Sequence, residues 1–135
     1  MKISSSFLFA AALVMVVTAG PVIAHHSFAA QFDREKPITL TGPLTKVEWI
    51  NPHARLFIDA KEASGKVVNW EIELGAPAML MRNGWKRSDV PVGATITITG
   101  FLAKDGSSVA NASTVTLADG KRVFAGSSAD TQPNR

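Results

Sequence analysis

The sequence predicts an all-β domain with one short helix, and three patterns predict it. Apolar and polar residues alternate in short runs. Glycine, proline and aspartate turn signals separate those runs. One stretch, after the third run, breaks the alternation with helix-forming residues.

The first run is long. Ile38, Leu40 and Leu44 take apolar positions against Thr39 and Thr41, and then Val47 and Trp49 take over in the opposite phase. A flip of phase near Gly42-Pro43 predicts a bulge or bend within one strand, which Asn51-Pro52 ends. Arg55–Lys61 alternates Leu56, Ile58 and Ala60 against Phe57 and Asp59. Ser64-Gly65 is a turn. Val68, Trp70, Ile72 and Leu74 then alternate with Asn69, Glu71 and Glu73, the clearest half-buried strand in the chain.

A short helix follows: Pro77 suits a first-turn position, Ala78 to Arg82 are good helix formers, and Gly84 suits the position beyond the end. Pro91-Val92-Gly93 is a turn, and Thr95–Thr99 is a β-branched strand reaching Gly100. Lys104–Ser107 is a turn, a further strand lies within Asn111–Leu117, and Asp119-Gly120 is a hairpin-type turn before Arg122-Val123-Phe124. Three strands, a short helix and two more strands, with a long bent first strand, form the layout of a five-stranded OB-like barrel. A small sandwich or an open meander shares the same pattern.

The first 24 residues read as a cleaved secretory signal peptide. Lys2 precedes an apolar run from Phe7 to Val17, which is of secretory length and too short to span a bilayer. Val22 and Ala24 are the small residues expected before a cut, so the mature chain is expected to begin at His25. No cysteine follows, which excludes a lipid-anchored terminus, and no stable membrane anchor is expected after cleavage. The expected organisation is therefore 1–24 leader, 25–37 N-terminal segment docking on the barrel, 38–124 β domain and 125–135 polar tail, with a periplasmic or secreted location.

The strings His25–Asp33, Leu40-Thr41-Gly42 and Val47–Ala54 resemble an uncharacterised family of small exported bacterial proteins. Trp70–Gly75, Arg82–Trp85 and Thr116–Gly120 resemble it too. The likeness covers nearly all of residues 25–135. It implies export and a single β-rich domain, and it implies no activity.

Composition narrows the chemistry. The chain has 135 residues, a formal charge of +3 and no cysteine. Thiolate metal sites and thiol redox chemistry are excluded. Basic residues are interspersed with acidic ones, tyrosine is absent, and no basic and aromatic surface for nucleic acid is expected. No nucleophile elbow, phosphate loop or His-Glu-x-x-His is present, so no catalytic residues are predicted.

The chain holds three histidines, His25, His26 and His53, and these are the predicted metal ligands. An N-terminal His25 offers an α-amino group and a ring nitrogen to one ion. His53, in the loop between the first two strands, would supply a third nitrogen, and His26 is an optional ligand. Nitrogen donors suit copper, which heads the Irving–Williams order. The amine must lose a proton to bind, so affinity should fall in acid. Phe28 and Phe32, four residues apart, would share one face of a helical turn and dock the N-terminal segment. Glu48, Asp33 and Trp49 are candidate outer partners. Glu71 and Glu73 share one strand face and are expected to be solvated, and Met79 is expected in the core. The expected function is an exported copper carrier, chaperone or sensor. The alternative is a metal-free module docking an envelope protein or small ligand near Asn51–Arg55.

Overall fold

The structure, a computed structural model, describes residues 27–126; His25, His26, the leader and the tail beyond Gly126 lie outside them. The elements in chain order are α1 (Ser27–Gln31), β1 (Phe32–Glu48), β2 (Arg55–Lys61), β3 (Val67–Glu73), α2 (Pro77–Arg82), a 3-10 turn (Arg87–Asp89), β4 (Thr95–Ala103), β5 (Val109–Thr116) and β6 (Arg122–Phe124).

The strands form a mostly antiparallel sheet in the order β3-β2-β1-β4-β5-β6, and a further β3–β5 pairing joins its parts. Strands β1, β2, β3, β5 and β4 thus close on one another in a ring. The closing β3–β5 contact is parallel and aligns Glu71 with Val109, Ile72 with Ala110 and Glu73 with Asn111. Strand β6 adds to the outer side of β5.

Strand β1 serves two neighbours because it is long and bent. Its first part, to Pro43, pairs with β4. Its second, from Leu44, pairs with β2 after a register shift between Leu44 and Lys46. The irregularity falls just past the Gly42-Pro43 phase change. Gly42 has a separate role: any Cβ there would collide with the backbone carbonyl of Asp59, so only glycine lets the strands approach at this point. The strand also starts earlier than its hydrophobic pattern indicates, at Phe32 rather than Ile38. Residues 33–36 are polar and mostly exposed, so they carry no apolar alternation to read.

Alternation builds the interior. Leu44, Leu56, Ile58, Ile72, Ile96, Ile98 and Val115 are all buried inside the ring. At about 1.5–3 kcal/mol for each fully buried large aliphatic side chain, these residues drive folding. Helix α2 starts at Pro77 and seats Leu80 in this core; Gly84, at φ 92°, follows its end. Trp85 is buried beside it, and its indole N–H donates to the Phe124 carbonyl at 2.8 Å, tying β6 to the helix end.

A second cluster sits outside the ring. Phe28, Phe32 and Ala103 are buried, with Phe101 and Val109 against them. The Phe28 ring lies 5.6 Å from Phe32 and 5.8 Å, edge-on, from Phe101. The Lys104 amide donates to the Gln31 carbonyl at 2.8 Å, and Lys104 Nζ donates to the Ala29 carbonyl. Apolar contact and backbone hydrogen bonds together hold α1 on the outer face of β4 and β5.

Candidate functional site

His53 lies in the β1–β2 loop, one residue after a cis Asn51–Pro52 bond. Ala54, next to it, is fully buried, and so is Leu74 across from it. In an extended chain the neighbours of an inward residue turn outward. His53 and Arg55 therefore share the outer face with Glu73. His53 Nδ1 lies 3.4 Å from Glu73 Oε2, an ion-pair distance rather than a short hydrogen bond. The histidine side chain is 30% exposed and the glutamate 13%.

Glu73 is itself held. Its other oxygen accepts from Asn111 Nδ2 at 3.1 Å. Asn111 is 1% exposed and is the buried polar residue of the described chain. Placing an amide there makes sense because a buried polar group needs a partner, and the parallel β3–β5 register sets Asn111 against Glu73. The result is a line of three side chains from a buried amide on β5, through a carboxylate on β3, to an imidazole in the first loop. A carboxylate that contacts one ring nitrogen of a histidine orients the ring and leaves the other nitrogen for a ligand.

The remaining predicted residues fall elsewhere. Glu48 is engaged by Lys46 Nζ at 2.6 Å and lies 3.7 Å from Arg55 Nη1. Its hydrogen bond from Lys46, with added attraction from Lys46 and Arg55, holds its carboxyl below the usual glutamate range. Arg55 also reaches Glu71, with Nε 2.8 Å from Oε1. Asp33 faces Lys36 at 3.7 Å and accepts from the Glu35 amide at 3.0 Å. The Trp49 ring packs 6.0 Å from Trp85, and its indole N–H is buried without a hydrogen-bond partner among the described residues. His25 and His26 lie outside the described residues. Among those described, no group of three or more histidine, cysteine or acidic side chains gathers as a metal site.

Glu73 and Asn111 are the residues that sequence reasoning missed. Period-two alternation places Glu73 on an outer face, and an outer face reads as solvated. Only the ring closure sets β5 beside β3 and covers that carboxylate. The sequence signal that remained was Asn111 itself, an amide inside a run that otherwise carries small or β-branched residues.

A cleft of about 300 Å3 also opens beside α1, lined by Gln31, Phe32, Lys104, Asp105, Ser107 and Val109 among others. Asp105 is occupied there by the Ser107 hydroxyl and amide, at 2.6 and 2.9 Å, which hold its carboxyl below the usual range.

No helix among the described residues is long and apolar enough to cross a membrane. Comparison with curated proteins gives no match. The sequence pattern of a family of unknown function, DUF6152, matches residues 12–112, well over half of the chain, and the protein belongs to that family.

Proposed function

We propose that the protein is an exported copper-binding protein, in which a processed N-terminal His25 and His53 hold the ion and His26 is an optional third donor. The single observation that carries this reading is the buried support behind His53. Asn111 holds Glu73, and Glu73 faces Nδ1, which leaves Nε2 as the donor atom. An incidental loop histidine has no need of such backing.

Reach supports the first ligand. Phe28 rests on Phe101, Phe101 pairs with Asn111, and Asn111 pairs with Glu73 beside His53. Two strand spacings, about 10 Å, separate Phe101 from Glu73. His25 precedes Phe28 by a short span, and extended chain covers about 3.3–3.6 Å per residue. Helix α1 also runs the right way: going back from Phe32 to Phe28, its contacts move from Ala103 to Phe101, toward the Asn111 row.

The ring order, with a helix between its third and fourth strands, supports an OB-like barrel, whose first loop borders the common ligand face of that architecture. The leader composition supports export to the periplasm or beyond. Carrier, chaperone or sensor are the roles proposed for this site.

The test is Cu²⁺ affinity, by chelator competition, for chain beginning at His25, for the same chain with one alanine added before it, and for His53→Ala. Loss of at least tenfold in both altered proteins supports the paired site. Equal affinities in all three would overturn it and turn attention to a partner protein docking near Asn51–Arg55.

A further inference from the structure

The chain between α2 and β4 carries cations and apolar side chains together on its solvent side. Leu80, Trp85 and Val90 are buried, and each pins this stretch to the core. Between them the chain steps outward twice. The Trp85 amide donates to the Leu80 carbonyl and the Gly84 amide to the Met81 carbonyl, both at 3.1 Å, so residues 81–84 form a closed surface loop. The Asp89 amide donates to the Lys86 carbonyl at 3.0 Å, and the Asp89 carboxylate accepts from the Lys86 amide at 2.9 Å, which closes the second step. Met81, Arg82, Lys86 and Arg87 are all exposed on these steps. A third turn follows, where the Ala94 amide donates to the Pro91 carbonyl at 3.1 Å and Val92 is exposed.

The charge of this stretch is one-sided. Arg82, Lys86 and Arg87 form no ion pair among the described residues. Asp89 is the sole carboxylate of residues 81–92, and it is engaged by a backbone amide. Apolar side chains stand among the cations: Met81 is 55% exposed and Val92 65%. Trp49 packs on Trp85, which brings the start of the β1–β2 loop, and the exposed Ile50 next to Trp49, to the same stretch. Grouped exposed apolar side chains mark a contact surface. Unpaired cations beside them match a partner that is anionic at its face and apolar beneath it. An acidic protein would meet the cations but would need pockets of its own for Met81 and Val92. A bilayer takes both without any.

We propose that residues 81–92, with Ile50 beside them, dock the protein reversibly on an anionic lipid surface. The cations lie against the lipid phosphates, and Met81 and Val92 enter the boundary between headgroups and acyl chains. Arginine and lysine suit that boundary because their stems cover apolar surface while their heads stay at the polar level. Each cation near an anionic bilayer contributes about fivefold to partitioning, an effect that salt screens. Contact of this kind is peripheral and needs no membrane-spanning helix. None of these residues is a proposed copper ligand, so the inference stands or falls apart from the copper reading.

The experiment sediments metal-free chain beginning at His25 with vesicles of phosphatidylcholine alone, or of phosphatidylcholine with an equal part of phosphatidylglycerol. The expected result is binding to the anionic vesicles that weakens as salt is raised, and little binding to phosphatidylcholine alone. Arg82→Gln, Lys86→Gln and Arg87→Gln combined should lower the partition coefficient by roughly tenfold or more. Met81→Ser with Val92→Ser should lower it by about fivefold or more. All five positions are exposed, so urea midpoints equal to the parent's check that the variants fold. The chain has no cysteine, so a nitrobenzoxadiazole label on Met81→Cys reports this site alone. Its emission should brighten and shift to the blue on anionic vesicles, while the same label on Val67→Cys, at the far end of β3, should not change. A parent chain that ignores anionic vesicles overturns the proposal, as does a response at Val67 in place of Met81. Binding that is lost with the cations, kept without Met81 and Val92, and matched by polyglutamate would assign the surface to an acidic protein and overturn the lipid reading.

Discussion

The Glu73 carboxylate joins His53 to Asn111: one oxygen lies 3.4 Å from the imidazole Nδ1 and the other accepts from the buried amide at 3.1 Å. A half-buried loop histidine is thereby coupled to a fully buried amide on β5. The coupling has consequences for stability that can be measured apart from any ligand.

Asn111→Ala removes a donor to Glu73 from a site with almost no solvent access. A part-buried acceptor left without its partner costs about 1–3 kcal/mol. Urea unfolding of the apo protein should show a loss in that range. A loss under about 0.5 kcal/mol would mean that water replaces the amide freely and that the support for His53 is weak.

Gly75→Ala should destabilise by about 1–3 kcal/mol, the usual cost of overpacking, because its Cβ would meet both the Met79 methyl and the Gly126 carbonyl, the latter at 2.6 Å. Combined with Met79→Ala, part of that loss should return, since one of the two clashes is gone. A double-mutant cycle measures this coupling. Strict additivity would place the Met79 methyl away from Gly75.

Phe28→Ala tests the attachment of α1. The Phe28 ring is 3% exposed and touches both Phe32 and Phe101. A loss of about 3–5 kcal/mol is typical of a buried Phe→Ala change, and a peripheral cluster should sit at the low end. Limited proteolysis should then cut within 27–36 at protease levels that spare the parent. Resistance equal to the parent would show that Lys104 alone holds the segment.

Glu48 gives a pH dependence with a definite sign. Its folded carboxyl titrates below the usual value of 4.5, first because of the hydrogen bond from Lys46 and then the charges of Lys46 and Arg55. A depressed folded value means that the stabilising contribution is complete above the unfolded value and disappears as pH falls through the folded one. The stability advantage of the parent over Glu48→Gln should therefore be small, constant near neutrality, and shrink below about pH 4.5. An advantage that stays constant into strong acid would show that the ion pairs contribute nothing to it.

Strand positions, the short helix after Leu74 and most inward residues were determined by the sequence alone. The reason is that period-two alternation is a local property, set by which face of each strand meets the core. Leu56, Ile58, Trp70 and Ile72 show this: each alternates in the chain and each is buried. Their neighbours do not reveal their partners in the same way. Asp33 and Glu48 stand near the histidines or the predicted loop in sequence, yet both pair with nearby cations. Glu73 is distant from Asn111 in the chain and beside it in the fold, because the parallel β3–β5 contact closes the ring there. The place of Met79 over Gly75 was equally hidden, since it depends on how a helix folds back across the strand that precedes it and on where Gly126 arrives. The three histidines and their nitrogen chemistry were legible in the sequence. Which carboxylate and amide stand behind His53 was decided only by tertiary contact, where strands remote in the chain come within a single strand spacing of one another.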